Sequence, residues 1–222
     1  SIFDNLNVFK IHRYGMIKKK QEYPEYKRRV MKENEVILKR QSTRIFFKNG
    51  DTDFFFNWLL GIGEVFGFSH GELYYLAQEL GKSPKPDNWK SVFLSHGNYL
   101  EQKVSHSGLS EQTKAQYYLA QTYSLRSAIQ FINPFSDEYL PTVHKMETAF
   151  SNAIQSLGAP VEELSIPYQD SYLPGYYLHS GNHCPTLIMI GGGDTYREDL
   201  FYFAGYPGWI RNYNVLMVDL PG

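Results

Sequence analysis

From residue 144 to 157, apolar side chains return every three or four positions: Met146, Ala149, Phe150, Ala153, Ile154 and Leu157. That spacing lines one face of a helix. Gly158 supplies a left-handed stop, and Pro160 prevents the helix from resuming. A second stripe, Ala115, Tyr118, Leu119, Leu125, Ile129 and Ile132, predicts a helix from about Glu111 to Ile132, ended by Asn133-Pro134. Each stripe needs a partner, and the two are expected to pack on each other. Earlier, Ser69-His70-Gly71-Glu72 reads as a capping box that opens a helix over 72–80. The serine oxygen takes an early amide, and Glu72 reaches back.

After Pro160 the period changes. Val161 to Tyr168 and Tyr172 to His179 are short extended segments joined by a turn at Gln169-Asp170-Ser171, which predicts a hairpin or meander. Pro185 to Ile190 and Asn214 to Leu220 are continuous apolar runs. Continuous apolarity marks strands covered on both faces, hence a parallel pair. The residues between the two runs are enough for a helical crossover. Three zones result: a basic segment over 1–44 that fits no fold, a helical region over 45–160, and the opening of an α/β core over 161–222.

Composition changes this picture in two places. Aromatics are abundant, with 18 Tyr and 15 Phe, and serve to fill cores, line pockets or make interfaces. A homodimer is compatible with that load. The net charge of −1 hides an asymmetry, since residues 1–50 carry 13 Lys and Arg against 5 acids. Lys18-Lys19-Lys20 and Lys27-Arg28-Arg29 would suit phosphates or anionic lipid, but they read better as the solvated face of a helix. Neither nucleic acid nor membrane is therefore an expected partner. The single cysteine, Cys184, excludes an internal disulfide and a cysteine-based zinc cluster. No run approaches the roughly 18 apolar residues of a membrane span and no signal peptide is recognisable, so a cytoplasmic protein is the expectation.

Candidate chemistry centres on Gly191-Gly192-Gly193-Asp194, which follows a predicted strand and precedes helix-forming residues. Glycines there let the chain turn sharply and leave main-chain N–H groups bare for an oxyanion, helped by the positive end of the next helix. A glycine-rich turn without a ligand is the simpler explanation of a lone triplet. A nucleotide loop is disfavoured, because no Lys-Ser/Thr pair follows and G-x-G-x-x-G fails at Tyr196. Gly67-Phe68-Ser69-His70-Gly71 has the spacing of a serine nucleophile elbow. It lacks the buried strand that an elbow requires, and its serine reads as a helix cap. His179 and His183 stand four apart but flank a loop, so no metal motif is formed. Arg126 could be a buried pocket charge or a surface residue.

Taken in order, Ile166-Pro167-Tyr168, Leu173-Pro174-Gly175-Tyr176, Ile190-Gly191-Gly192-Gly193-Asp194 with Glu198 behind, and Val218-Asp219-Leu220-Pro221-Gly222 form a recognisable series. Together they resemble the α/β-hydrolase family with an N-terminal helical cap, which includes dihydroxy-pseudo-oxynicotine hydrolase and acylaminoacyl-peptidase-like esterases. Gly61-Ile62-Gly63-Glu64, the Trp89 segment and Tyr123-Ser124-Leu125-Arg126 are similar to that family's cap. The resemblance covers roughly residues 50–222. It implies a helical cap followed by the first strands of an incomplete hydrolase sheet. It also implies a Ser–His–Asp hydrolase acting on ester, amide or carbon–carbon bonds of a small molecule or peptide, without a cofactor or metal. Gly192, Gly193 and Asp194 would supply oxyanion-hole amides, Asp194 through its backbone. The triad would follow Gly222 in the order Ser, acid, His. The alternative is a binding or regulatory protein that keeps the scaffold without catalysis.

Overall fold

A computed structural model describes residues 44–63 and 66–221, so the basic runs near Lys18 and Lys27 lie outside the described residues. Five long helices come first: α1 (Gly50–Gly63), α2 (His70–Leu80), α3 (Pro86–Val104), α4 (Glu111–Ile129) and α5 (Tyr139–Leu157). Strands β1 (Val161–Tyr168), β2 (Ser171–Leu178) and β3 (Thr186–Ile190) follow. A short α6 (Arg197–Leu200), a π-helical segment (Phe201–Gly205) and α7 (Tyr206–Trp209) then cross over to β4 (Asn214–Val218).

The chain approaches α1 folded over a single carboxylate. Buried Asp53 accepts the N–H groups of Ile45, Phe46 and Phe47 at 2.8–2.9 Å. Burial opposes its charge, but the three amides outweigh burial and hold its carboxyl below the ordinary range. Asp53→Ala should therefore cost about 3 kcal/mol, read by urea unfolding at pH 7. In the parent this contribution is complete above the unfolded value of about 4 and is lost as pH falls through the lower folded value.

The capping-box reading of α2 is half right. Ser69 Oγ accepts the Glu72 N–H at 3.1 Å, but the Glu72 carboxylate turns to His96 Nε2 at 3.0 Å instead of reaching back. Helix α5 starts earlier than its apolar stripe, at Tyr139, and stops where expected, with Gly158 left-handed at φ 62°.

Helix α4 departs from the expected one-sided stripe. It lies packed between α3 and α5, and every residue from Leu119 to Ile129 is buried. Small residues (Ala120, Ser124, Ser127, Ala128) let the neighbours approach, and several of its buried hydroxyls are hydrogen-bonded, whereas the Tyr123 hydroxyl has no partner among the described residues. Thr122 and Ser127 donate to carbonyls one turn back, and Ser124 is hydrogen-bonded to His96 Nδ1 at 2.6 Å. Much of the aromatic load fills this helical layer. Phe47 packs on Phe56 and Trp89, Phe66 stacks on Tyr123 at 4.5 Å, and the Trp89 indole donates to Ser127 O.

The sheet has the order β1-β2-β4-β3. β1 and β2 form the expected antiparallel hairpin, β2 runs antiparallel to β4, and β3 runs parallel to β4. Helices and sheet share one core, in which Phe150 of α5 meets Tyr176 of β2 and Phe201 of the crossover. Covering on both faces holds for β4 but not for β3. Among the described residues β3 is an edge strand, with Leu187, Ile188 and Ile190 between 41% and 52% exposed. An apolar run records that a strand is meant to be covered, but not which segment covers it. No helix among the described residues is long and apolar enough to cross a membrane.

Candidate active site

At the end of β3 the chain enters Gly191-Gly192-Gly193-Asp194. The turn is closed by Thr195 N–H donating to Gly192 O at 3.1 Å and by Gly192 N–H donating to Thr195 Oγ1 at 3.3 Å. The N–H groups of Gly193 and Asp194 donate to no protein acceptor among the described residues, and both residues are exposed. None of the three glycines occupies the left-handed region, so the turn does not use that freedom. The need is for clearance instead: a Cβ on Gly191 would stand 2.7 Å from Thr195 Cβ. The expected help from the next helix end is also missing. Helix α6 is a single turn, and its leading amide, Tyr196 N–H, donates to Asp199 Oδ2 at 3.0 Å.

Behind the turn lies Arg126 of α4, only 2% exposed. Its Nε donates to Asp199 Oδ2 at 3.1 Å, Nη1 to Gln130 Oε1 at 3.2 Å, and Nη2 to the Asp194 carbonyl. The rings of Tyr196 and Trp58 lie over the guanidinium at 4.6 and 5.3 Å. Burial pushes the Asp199 carboxyl upward, and the Arg126 charge opposes that shift. The sequence left Arg126 undecided between pocket and surface; its place is buried.

The turn borders a cavity of about 630 Å³ whose wall includes Arg126, Ile129, Gln130, Tyr139, Tyr196 and Asp219. The hydroxyls of Tyr139 and Tyr196 are hydrogen-bonded at 2.6 Å, and burial raises the Tyr196 phenol above its ordinary range. A second cluster supports the turn from below. Glu198 Oε1 accepts from Tyr176 Oη at 2.9 Å and from Arg197 Nε at 3.1 Å, while Arg197 Nη2 donates to Glu147 at 2.8 Å. Burial drives the Glu198 carboxyl up to about 7 against the pull of Arg197. Asp219, at the end of β4, is raised to about 6, again by burial and against Arg197.

No family model matches the chain. Hydrolase phmG of Phaeosphaeria nodorum is 29% identical over 164 residues, which take in 63% of this chain and 37% of the relative. Alpha/beta hydrolase psoB of Aspergillus fumigatus is 29% identical over 191 residues, covering 79% of this chain and 42% of the relative. The crystal structure of 2,6-dihydroxy-pseudo-oxynicotine hydrolase aligns over 72% of this chain and 45% of its own, with a TM-score of 0.56 and 19% identity. The chain is thus similar in sequence to proteins named hydrolase and alpha/beta hydrolase, and its fold fits an incomplete α/β-hydrolase core. It matches only about two fifths of the length of these curated relatives.

Within this fold, the structure gathers Gly192, Gly193 and Asp194 on one cavity wall together with Asp219. Ser69 stays apart as an exposed helix cap, and Cys184 is half-buried away from the cavity. His179 pairs with Glu162 on the surface. Ser124, His96 and Glu72 are linked in series like a proton relay, but Ser124 is fully buried between helices and does not line the cavity beside the turn. Among the described residues, no three His, Cys, Asp or Glu side chains converge as metal ligands. Sequence reasoning missed Asp199, Arg197, Tyr139 and Tyr196. The available signal was an arginine inside an apolar helix, which requires a buried acid somewhere else in the chain.

Proposed function

We propose that the complete protein is a serine hydrolase that cleaves an ester, amide or carbon–carbon bond through an acyl-enzyme. The observation that carries this reading is the pair of unclaimed N–H groups at Gly193 and Asp194, on a cavity wall at the end of β3. Such donors are worth most where charge develops and water is scarce. In the proposed reaction a serine attacks the substrate carbonyl and a histidine accepts its proton. The tetrahedral oxyanion then rests on the turn's amides and on one further N–H beside the nucleophile.

The α/β-hydrolase fold and the hydrolase names of the relatives support the reading. Neither Ser69 nor Ser124 fits the nucleophile's place, and the resemblance to α/β-hydrolases implies that serine, acid and histidine would follow the Val218-Asp219-Leu220-Pro221-Gly222 motif. The open edge of β3 supports that assignment, because a strand added there would end beside the turn. The helices over 45–160 would roof the cavity as a cap and select a small-molecule or peptide substrate.

A fluorophosphonate probe on the full-length protein tests this. We expect stoichiometric labelling of one serine in a G-x-S-x-G turn, unchanged by Ser124→Ala. Absence of both labelling and ester hydrolysis would overturn the reading in favour of a binding or regulatory protein.

A further inference from the structure

The Asp194–Thr195 peptide is held at both ends. Its carbonyl accepts from Arg126 Nη2, and its N–H donates to Gly192 O at 3.1 Å. Because the peptide unit is planar, fixing both groups fixes the turn on either side of it. The next amide, Tyr196 N–H, is held by Asp199 Oδ2, the same oxygen that accepts from Arg126 Nε at 3.1 Å. One guanidinium therefore governs residues 194–196, and it does so from a different layer of the fold. Gln130 and the rings of Tyr196 and Trp58 leave it little room to turn.

We propose that Arg126 is a positioning residue: from helix α4 it holds the Asp194 carbonyl in its own hydrogen bond, so that the turn keeps its shape and the Gly193 and Asp194 N–H groups stay available at the cavity wall. The catalytic consequence rests on the hydrolase reading above; the structural one does not. Rotation of the Asp194–Thr195 peptide would break the Arg126 bond and change the shape of the turn. Arginine suits the task because its planar fork donates to three acceptors at once, whereas a lysine ammonium on a flexible stem reaches them one at a time. The helical layer is thereby tied to the turn: a displacement of α4 carries Arg126, and with it the Asp194 carbonyl.

The test uses the full-length protein with Arg126→Lys and the double variant Arg126→Gln/Asp199→Asn. The first keeps a charge opposite Asp199. The second removes both charges, so that no lone buried acid unfolds the protein. Amide hydrogen exchange is measured at Thr195 and Tyr196, and kcat and KM for an activated acetate ester are referred to serine titrated with fluorophosphonate. We expect exchange at both amides to rise at least about tenfold and kcat per titrated serine to fall about 100-fold, the scale of losing one oxyanion donor, with KM within about threefold. A purely structural role would reduce the titrated serine and leave kcat per serine unchanged. Parent-like exchange in both variants overturns the proposal, as does faster exchange with an unchanged kcat per serine. If the parent neither hydrolyses nor is labelled, the hydrolase reading fails on its own, and exchange at Thr195 and Tyr196 alone decides whether Arg126 holds the turn.

Discussion

Replacing Asp194 by proline in the full-length protein should lower kcat about 100- to 1000-fold, a loss of about 3–4 kcal/mol of transition-state stabilisation. Proline removes the one atom that matters at this position, the hydrogen on the main-chain nitrogen. That N–H has no protein acceptor among the described residues, so its removal breaks no internal bond of the turn. Asp194→Ala keeps the N–H and should lose less than about tenfold. The contrast between the two substitutions separates a backbone role from a carboxylate role, and the assay is steady-state ester hydrolysis per titrated serine. Equal losses in both would mean that the carboxylate contributes. Equal retention would remove the turn from the mechanism.

The second large effect concerns Glu198 and the dependence of stability on pH. Burial raises its carboxyl to about 7 in the fold, against the opposing pull of the Arg197 charge and the Tyr176 hydrogen bond. In the unfolded chain it titrates near about 4.3. Between these values the folded protein retains a proton that the unfolded chain releases, so stability falls as pH rises through that window. Glu198→Gln keeps the shape and an acceptor for the Tyr176 hydroxyl but cannot ionise. The fall in unfolding free energy from pH 4 to pH 8 should therefore be smaller in the variant by roughly 3 kcal/mol, read by urea unfolding at each pH. Some slope should persist, since Asp219 is raised to about 6 and acts with the same sign. An identical slope in parent and variant would show that Glu198 is not the group titrating.

Both effects originate in residues whose partners are far away along the chain. Arg126 meets Asp194 and Asp199, and Glu198 meets Tyr176. Glu198 stood out in the sequence only as part of a series of motifs, and Asp199 did not stand out at all. The turn itself was legible, because Gly191 to Gly193 must follow a strand and precede a crossover. What the glycines are for was not legible: clearance at Gly191 replaces the left-handed backbone that such a triplet suggests. Helix α4 shows the same limit. Its stripe of apolar residues was readable, but the burial of its small and polar faces depends on α3 and α5 lying on either side.

Periodicity and punctuation, being local, determined from sequence alone the helix over 144–157 (though not its earlier start at Tyr139), the hairpin of β1 and β2, the parallel pairing of β3 with β4 and the glycine turn between them. Hydrophobic spacing and chain-stopping residues act over a few positions, so a single chain displays them in full. The tertiary structure alone decided that β3 lies at an edge among the described residues, that Arg126 is buried, and that its charge is joined to the turn. Those outcomes depend on desolvation and on acceptors brought together from residues about 70 positions apart, and the linear order of side chains does not record such distances.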